Sequence, residues 1–252
     1  MLKIRVMPTL LFKDLGLVKG VQFDSWRRVG SVMQSVKVYN MREVDELVFL
    51  DITATDERRR PDLRTIDEIA DECFMPLTVG GGVRSVEDFE NLLKVGADKV
   101  AINSAALENP NLIKEAAETF GSQCVIVSID ARRSDDGTVE VYTHSGKKPT
   151  GIRPADFARR AAELGAGEIL LTSIDRDGTM RGYDLDLIRD VAQSVNIPVI
   201  ASGGAGTYED MALAIQVGKA SAVAAASIYH FTQQTPLEAK RFLHSQGMKV
   251  RL

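Results

Sequence analysis

The sequence predicts a single closed (β/α)8 barrel of the TIM type. Two observations carry that prediction. Short β-branched runs alternate with helical patterns eight times in 252 residues. The later part of the chain also repeats the earlier part. Pro76, Gly81 and Gly82 return as Pro198, Gly203 and Gly204; Glu87-Asp88 returns as Glu209-Asp210, Val95-Gly96 as Val217-Gly218, and Glu46 as Glu168. Every pair lies 122 positions apart. Two half-barrels, about 1–122 and 123–252, close into one domain with approximate twofold symmetry. The repeat favours this barrel over a doubly wound open sheet.

The elements follow in order. The first strand is expected at 3–9 (KIRVMPT). The next segment, 14–30 (DLGLVKGVQFDSWRRVG), is too long for an ordinary βα loop and reads as a mobile lid, with Lys19 reaching a phosphate. Apolar residues then recur every three or four positions over 31–44, the first helix. Strand 46–51 (ELVFLD) leads to helix 62–73, and strand 76–81 to helix 85–95. In that third helix Ser85 is placed to cap, Asp88 follows three residues later and Gly96 closes. Strand 98–103 (DKVAIN) and helix 109–119 complete the first half. Strand 123–130 (QCVIVSID) opens the second; the insertion 132–152, with GTVEVYTHSGKK, reads as a small hairpin before helix 154–164. Strands 168–173 (EILLTS), 197–202 and 220–225 alternate with helices 184–193, 207–217 and 237–246.

Composition excludes several classes. A net charge of −4 provides no basic field for nucleic acid, and the cluster RRRPDLR (58–64) reads as a solvated loop. No apolar run approaches the roughly 18 residues of a membrane span. The N-terminus enters a strand-like run without a signal-peptide pattern, so a cytoplasmic protein is expected. Cys73 and Cys124 sit in apolar contexts as small core residues. The three histidines, His144, His230 and His244, are not at metal-ligand spacing, so neither a metal nor a cofactor is expected.

In such a barrel, ligands bind at the C-terminal ends of the strands. Gly80-Gly81-Gly82 and Gly203-Gly204 stand there, just before helices. Glycine lets backbone N–H groups approach an anion, and a helix start adds donors. Asn103-Ser104 ends the next strand, and Ala226-Ser227 is its counterpart. The duplicated pattern points to twin phosphate sites on opposite rims, suited to an elongated ligand with a phosphate at each end. Asp51, Asp130, Thr172 and Asp177 are further polar residues at strand ends. Asp130 shares the inward face with Ser128 and is the best candidate for proton transfer; the alternative is a cap or a salt-bridged loop residue. Asp177, in DRDGT, is either a site residue or a turn residue. At the opposite ends of the strands lie Arg5, Glu46, Lys99 and Glu168. They form either a neutral hydrogen-bonded plug in the barrel floor or an ordinary solvated rim, and periodicity alone favours the rim.

Six stretches, DELVFLDITAT, PLTVGGGVRSVEDFENLLKVGADKVAINSAA, FGSQCVIVSIDARR, EVYTHSGKKPTG, GAGEILLTSIDRDGTMRGYDLDL and PVIASGGAG, closely resemble the cyclase subunit (HisF) family of imidazole glycerol phosphate synthase. The likeness runs nearly end to end. It implies a heterodimer with a glutaminase subunit docked on the barrel floor. Ammonia would pass a four-residue charged gate, rise through the core and react with a bis-phosphorylated ribulosyl nucleotide. By position the resemblance makes Arg5, Glu46, Lys99 and Glu168 the gate and places Asp98 at the glutaminase interface. It makes Lys19, Gly82, Asn103, Ser104, Gly204, Ala226 and Ser227 phosphate or ligand contacts. Asp51, Thr172, Asp177 and Ser202 line the active site, and Asp130 is one of two catalytic aspartates.

The second aspartate is missing. The family has Cys-Leu-Asp at the end of strand one, where this chain reads Thr9-Leu10-Leu11. The repeat points the same way, because Leu11 and Asp130 each end the first strand of a half. Leucine passes no proton, and losing a positioned acid or base typically costs about 10²–10⁴ in rate, roughly 3–5 kcal/mol. Gly30-Ser31-Val32 also replaces the family's Gly-Asp-Pro before helix one. Such variants resemble a paralogous branch of surface-polysaccharide gene clusters, thought to supply ammonia to a separate amidotransferase making acetamidino sugars. Three readings follow: an ammonia-conducting subunit with impaired cyclase chemistry, an active cyclase of histidine biosynthesis, and a non-catalytic activator of a glutaminase. A sugar-phosphate isomerase is weaker, since it too would want an aspartate on strand one.

Overall fold

The computed structural model describes residues 3–14 and 16–252. Eight parallel strands form the barrel: β1 (Arg5–Lys13), β4 (Leu47–Asp51), β5 (Leu77–Gly80), β6 (Lys99–Ile102), β7 (Val125–Arg133), β10 (Glu168–Ser173), β11 (Val199–Ser202) and β12 (Ala222–Ala225). Each pairs with the next in that order, β12 pairs with β1, and the ring is closed. The helices between them are α1 (Val32–Met41), α2 (Leu63–Glu72), α3 (Val86–Lys94), α5 (Asn111–Phe120), α6 (Pro154–Glu163), α7 (Leu185–Ser194), α8 (Tyr208–Gln216) and α10 (Pro236–Ser245). Two five-residue helices, α4 (Ser104–Glu108) and α9 (Ser227–Phe231), were not expected. They follow β6 and β12 directly, one in each half.

Alternation along the strands makes two cores. Outward residues such as Val6, Leu10, Phe49 and Val127 pack under the helices. Inward residues Met7, Val48, Ala101, Ile126, Leu170, Ile200, Ala222 and Ala224 form an apolar belt inside the barrel.

The repeated Glu-Asp pairs are helix starts. Ser85 and Asp88 form a reciprocal capping box on α3, and Thr207 and Asp210 form its twin on α8. Asp88 Oδ2 accepts from the backbone N–H of Arg84 and Ser85 at 2.9 and 3.1 Å; Asp210 Oδ2 accepts from Gly206 and Thr207 at 3.0 and 2.9 Å. Each box therefore straps down the glycine turn that precedes it. Asp98 also serves the backbone: its Oδ2 accepts from Leu77 N–H at 2.8 Å on the barrel floor.

Two expectations need correction. The first strand runs to Lys13 rather than ending at 9. The segment 14–30, read as a mobile lid, holds an antiparallel ribbon of β2 (Gly16–Val21) and β3 (Asp24–Gly30), in which β2 pairs with the end of β1. Leu15, within that segment, lies outside the described residues. The second insertion is a hairpin of β8 (Val139–Thr143), which pairs with β7, and β9 (Lys148–Pro149).

Candidate functional site

The C-terminal mouth of the barrel holds an open cavity of about 1360 Å³, solvent at its entrance included. One end is lined by Gly81, Gly82, Asn103 and Ser104, the other by Gly203, Gly204, Ala226 and Ser227. The glycines are required by close packing. A Cβ on Gly81, at φ +111°, would lie 2.2 Å from the Asp51 carbonyl oxygen, and one on Gly204, at φ +116°, 2.2 Å from that of Gly182. At the first end the polar side chains are already engaged. Ser104 Oγ donates to Asn103 Oδ1 and accepts from His144 N–H, while Asn103 Nδ2 donates to Ser128 O and Asp130 Oδ2. At the second end the Ser227 hydroxyl is buried without a partner. Below the rim, Asp130, Thr172 and Ser202 sit side by side on β7, β10 and β11.

The strand register tests the twinning of Leu11. Leu11 pairs with Leu50, and Asp130 pairs with Thr172. Leu50 and Thr172 are themselves 122 apart. Leu11 and Asp130 therefore hold equivalent ladder positions on facing strands, and Leu11 is a buried apolar part of the cavity wall.

The aspartates differ in their commitments. Asp51 is a loop brace: Oδ1 accepts from Thr53 N–H, Thr53 Oγ1 and Ala54 N–H at 3.0 Å each, and Oδ2 pairs with Arg59 at 3.1 Å. Asp177 pairs with Lys19 at 2.6 Å, so the lysine expected to reach a phosphate is held by a carboxylate, at 2% exposure. Burial pushes the Asp177 carboxyl up against the opposing pull of Lys19. Asp130 keeps part of its surface on the cavity, yet burial and the negative charge of Asp177 push its carboxyl up to about 7. A carboxyl poised there both takes and gives protons near neutrality. His230 is driven the other way, to about 4, by burial and by Lys19.

At the floor, periodicity favoured a solvated rim, and the structure corrects that reading. Arg5, Glu46, Lys99 and Glu168 turn inward and close a ring. Arg5 bonds Glu46 at 2.7 Å and Glu168 at 2.7 and 3.1 Å; Lys99 bonds them at 2.8 and 2.9 Å. Burial pushes the Glu168 carboxyl up, but Arg5 and Lys99 outweigh it and hold the group below its ordinary value.

Sequence reasoning missed four participants. Thr78 Oγ1 donates to Glu46 Oε1 at 2.6 Å and completes the ring; alternation back from Gly80 would have turned it inward. Arg59, in the basic cluster, is the partner of Asp51. Phe23 and Trp26, from the ribbon, line the cavity. Among the described residues no group of three His, Cys, Asp or Glu is placed to hold a metal ion, and no helix is long and apolar enough to cross a membrane.

Residues 5–235 match the model of a family described as histidine biosynthesis protein. Over 251 residues the chain is 54% identical to the imidazole glycerol phosphate synthase subunit HisF of Hyphomonas neptunium (strain ATCC 15444), with 100% of this chain and 99% of that protein aligned.

Proposed function

The chain belongs to the histidine biosynthesis family, among the HisF-type subunits of imidazole glycerol phosphate synthase, and from that premise we propose that it is the synthase-type half of a glutamine amidotransferase complex with impaired cyclase chemistry. It binds a phosphorylated ligand across the two glycine ends of the cavity. It receives ammonia from a glutaminase subunit on the floor, near Asp98, and passes it through the ring of Arg5, Glu46, Lys99 and Glu168. The observation that carries this reading is Leu11 at the ladder position equivalent to Asp130, beside a complete ionic ring. The ring closes an interior that would otherwise need no charge, whereas a two-carboxylate ring closure lacks one carboxylate. The other acids have partners: Asp51 braces its loop and Asp177 holds Lys19. On this reading the ammonia leaves for another acceptor, as in the surface-polysaccharide branch.

A second reading has its own support. Identity to a HisF subunit spans the whole chain, and Asp177 is close enough to Asp130 to raise its pKa. If a bound phosphate drew Lys19 away, Asp177 would supply the second carboxylate of an active histidine-pathway cyclase. The third reading, a non-catalytic activator of the glutaminase, keeps the floor and discards the cavity chemistry.

The deciding assay combines the purified chain, the bis-phosphorylated ribulosyl nucleotide and ammonium salt at alkaline pH. We expect cyclisation about 10²–10⁴ below that of a two-aspartate enzyme, and recovery in Leu11→Asp. Full turnover by the unaltered chain would establish the second reading instead. Mixing with the cognate glutaminase should stimulate glutamine hydrolysis; absence of any complex removes both the conduit and the activator.

A further inference from the structure

Thr9 is 8% exposed, and its Oγ1 has no hydrogen-bond partner. A bare buried hydroxyl is costly, and valine, of nearly the same shape, would avoid that cost. Thr9 lies at the base of the cavity. Its ladder partner is Val48, and the belt around it is formed by groups such as Met7, Ala101 and Leu170. Ser128 holds the same position on the opposite wall. It pairs with Leu170 as Thr9 pairs with Val48, and those two partners are one repeat apart. Ser128 is equally buried and lines the same cavity. In the ring of eight strands β1 and β7 stand opposite each other, so Thr9 and Ser128 line the cavity from facing walls.

We infer that Thr9 and Ser128 form a hydroxyl throat that holds ammonia where the apolar belt opens into the cavity, just beneath Leu11 and Asp130. The inference rests on the proposed conduction of ammonia. A hydroxyl both donates and accepts, which matches a molecule that accepts through one lone pair and donates through its N–H groups. An apolar wall admits the neutral molecule and rejects ammonium, which would have to shed its water without a counter-charge. Thr9 and Ser128 position ammonia; they do not transfer its protons.

The test uses crystals of the full chain soaked in hydroxylamine at mildly alkaline pH. Hydroxylamine is a neutral ammonia surrogate whose two heavy atoms distinguish it from water. We expect elongated density within hydrogen-bond reach of Thr9 Oγ1, and its loss in Thr9→Val. In the free protein Thr9→Val should also raise the thermal midpoint, by about 2–4 °C, because it removes an unmatched polar group. A single-atom peak that the soak does not change, density that persists in Thr9→Val, or a lower midpoint in that variant overturns the inference. Neither readout involves the glutaminase. A failure of the two subunits to associate would overturn the conduit and leave the hydroxylamine site intact, whereas loss of the site would leave glutaminase stimulation unchanged.

Discussion

Leu11 and Asp130 hold equivalent ladder positions on opposite strands of the barrel, and only one of them can ionise. Asp130 is the residue whose charge the fold resists. Its carboxyl titrates near 7 in the folded protein, against about 3.9 unfolded. Above pH ~4 the unfolded chain gives up this proton while the native chain keeps it, so native stability falls as pH rises from about 4 to about 7. Asp130→Asn should remove that loss and stabilise the protein at neutral pH, by up to a few kcal/mol, with little effect near pH 4. Denaturant melts across that range would read it; equal stability of the two proteins at neutral pH would contradict the buried, raised carboxyl. An NMR titration of Asp130 should show the same midpoint, lowered in Asp177→Asn once the neighbouring charge is gone.

At the scale of elements, regular helices were legible and the ribbon was not. The α3 signals, Ser85 and Asp88, are those the structure uses. The β2–β3 turn has no such signal. Gln22 and Phe23 both have positive φ, at 53° and 63°, in a position that normally favours Asn-Gly. What holds this turn is tertiary: Gln22 N–H donates to Asp177 O at 2.8 Å, and its side chain donates to Asp175 O at 3.0 Å. The last helix is fastened in a similarly non-local way. Lys240, 1% exposed, donates to Glu43 O at 2.7 Å and lies 3.4 Å from Asp45, whose other oxygen accepts from Val6 N–H. This link joins α10 to the loop that leads into β4 and to β1. Lys240→Met should leave Asp45 buried without its cation and cost about 3 kcal/mol, lowering the midpoint by roughly 6–12 °C. Calorimetry showing no change would mean that packing alone seats the helix.

At the scale of the molecule, the ring in the floor joins four strands through side chains. Arg5, Glu46, Lys99 and Glu168 come from β1, β6, β10 and the residue preceding β4, and each cation reaches both carboxylates. Lys99→Ala should leave both carboxylates to Arg5 alone. Because the ring is partly exposed, we expect a loss of about 2 kcal/mol rather than the larger cost of breaking a fully buried pair. Chemical denaturation would measure it, and an unchanged midpoint would show the ring to be energetically idle in the free protein.

The sequence by itself determined the barrel, its repeat, the glycine ends of the cavity and the oddity of Leu11. These follow from periodicity and residue type, which are local properties of the chain. Only the tertiary structure decided which charges meet. It brought Lys19 to Asp177 and Arg59 to Asp51, turned a presumed solvated rim into a closed ring, and left the Thr9 hydroxyl bare beneath Leu11. Such pairings depend on closure of the barrel, which sets residues from distant turns of the chain a few ångströms apart. No spacing along one strand encodes that distance.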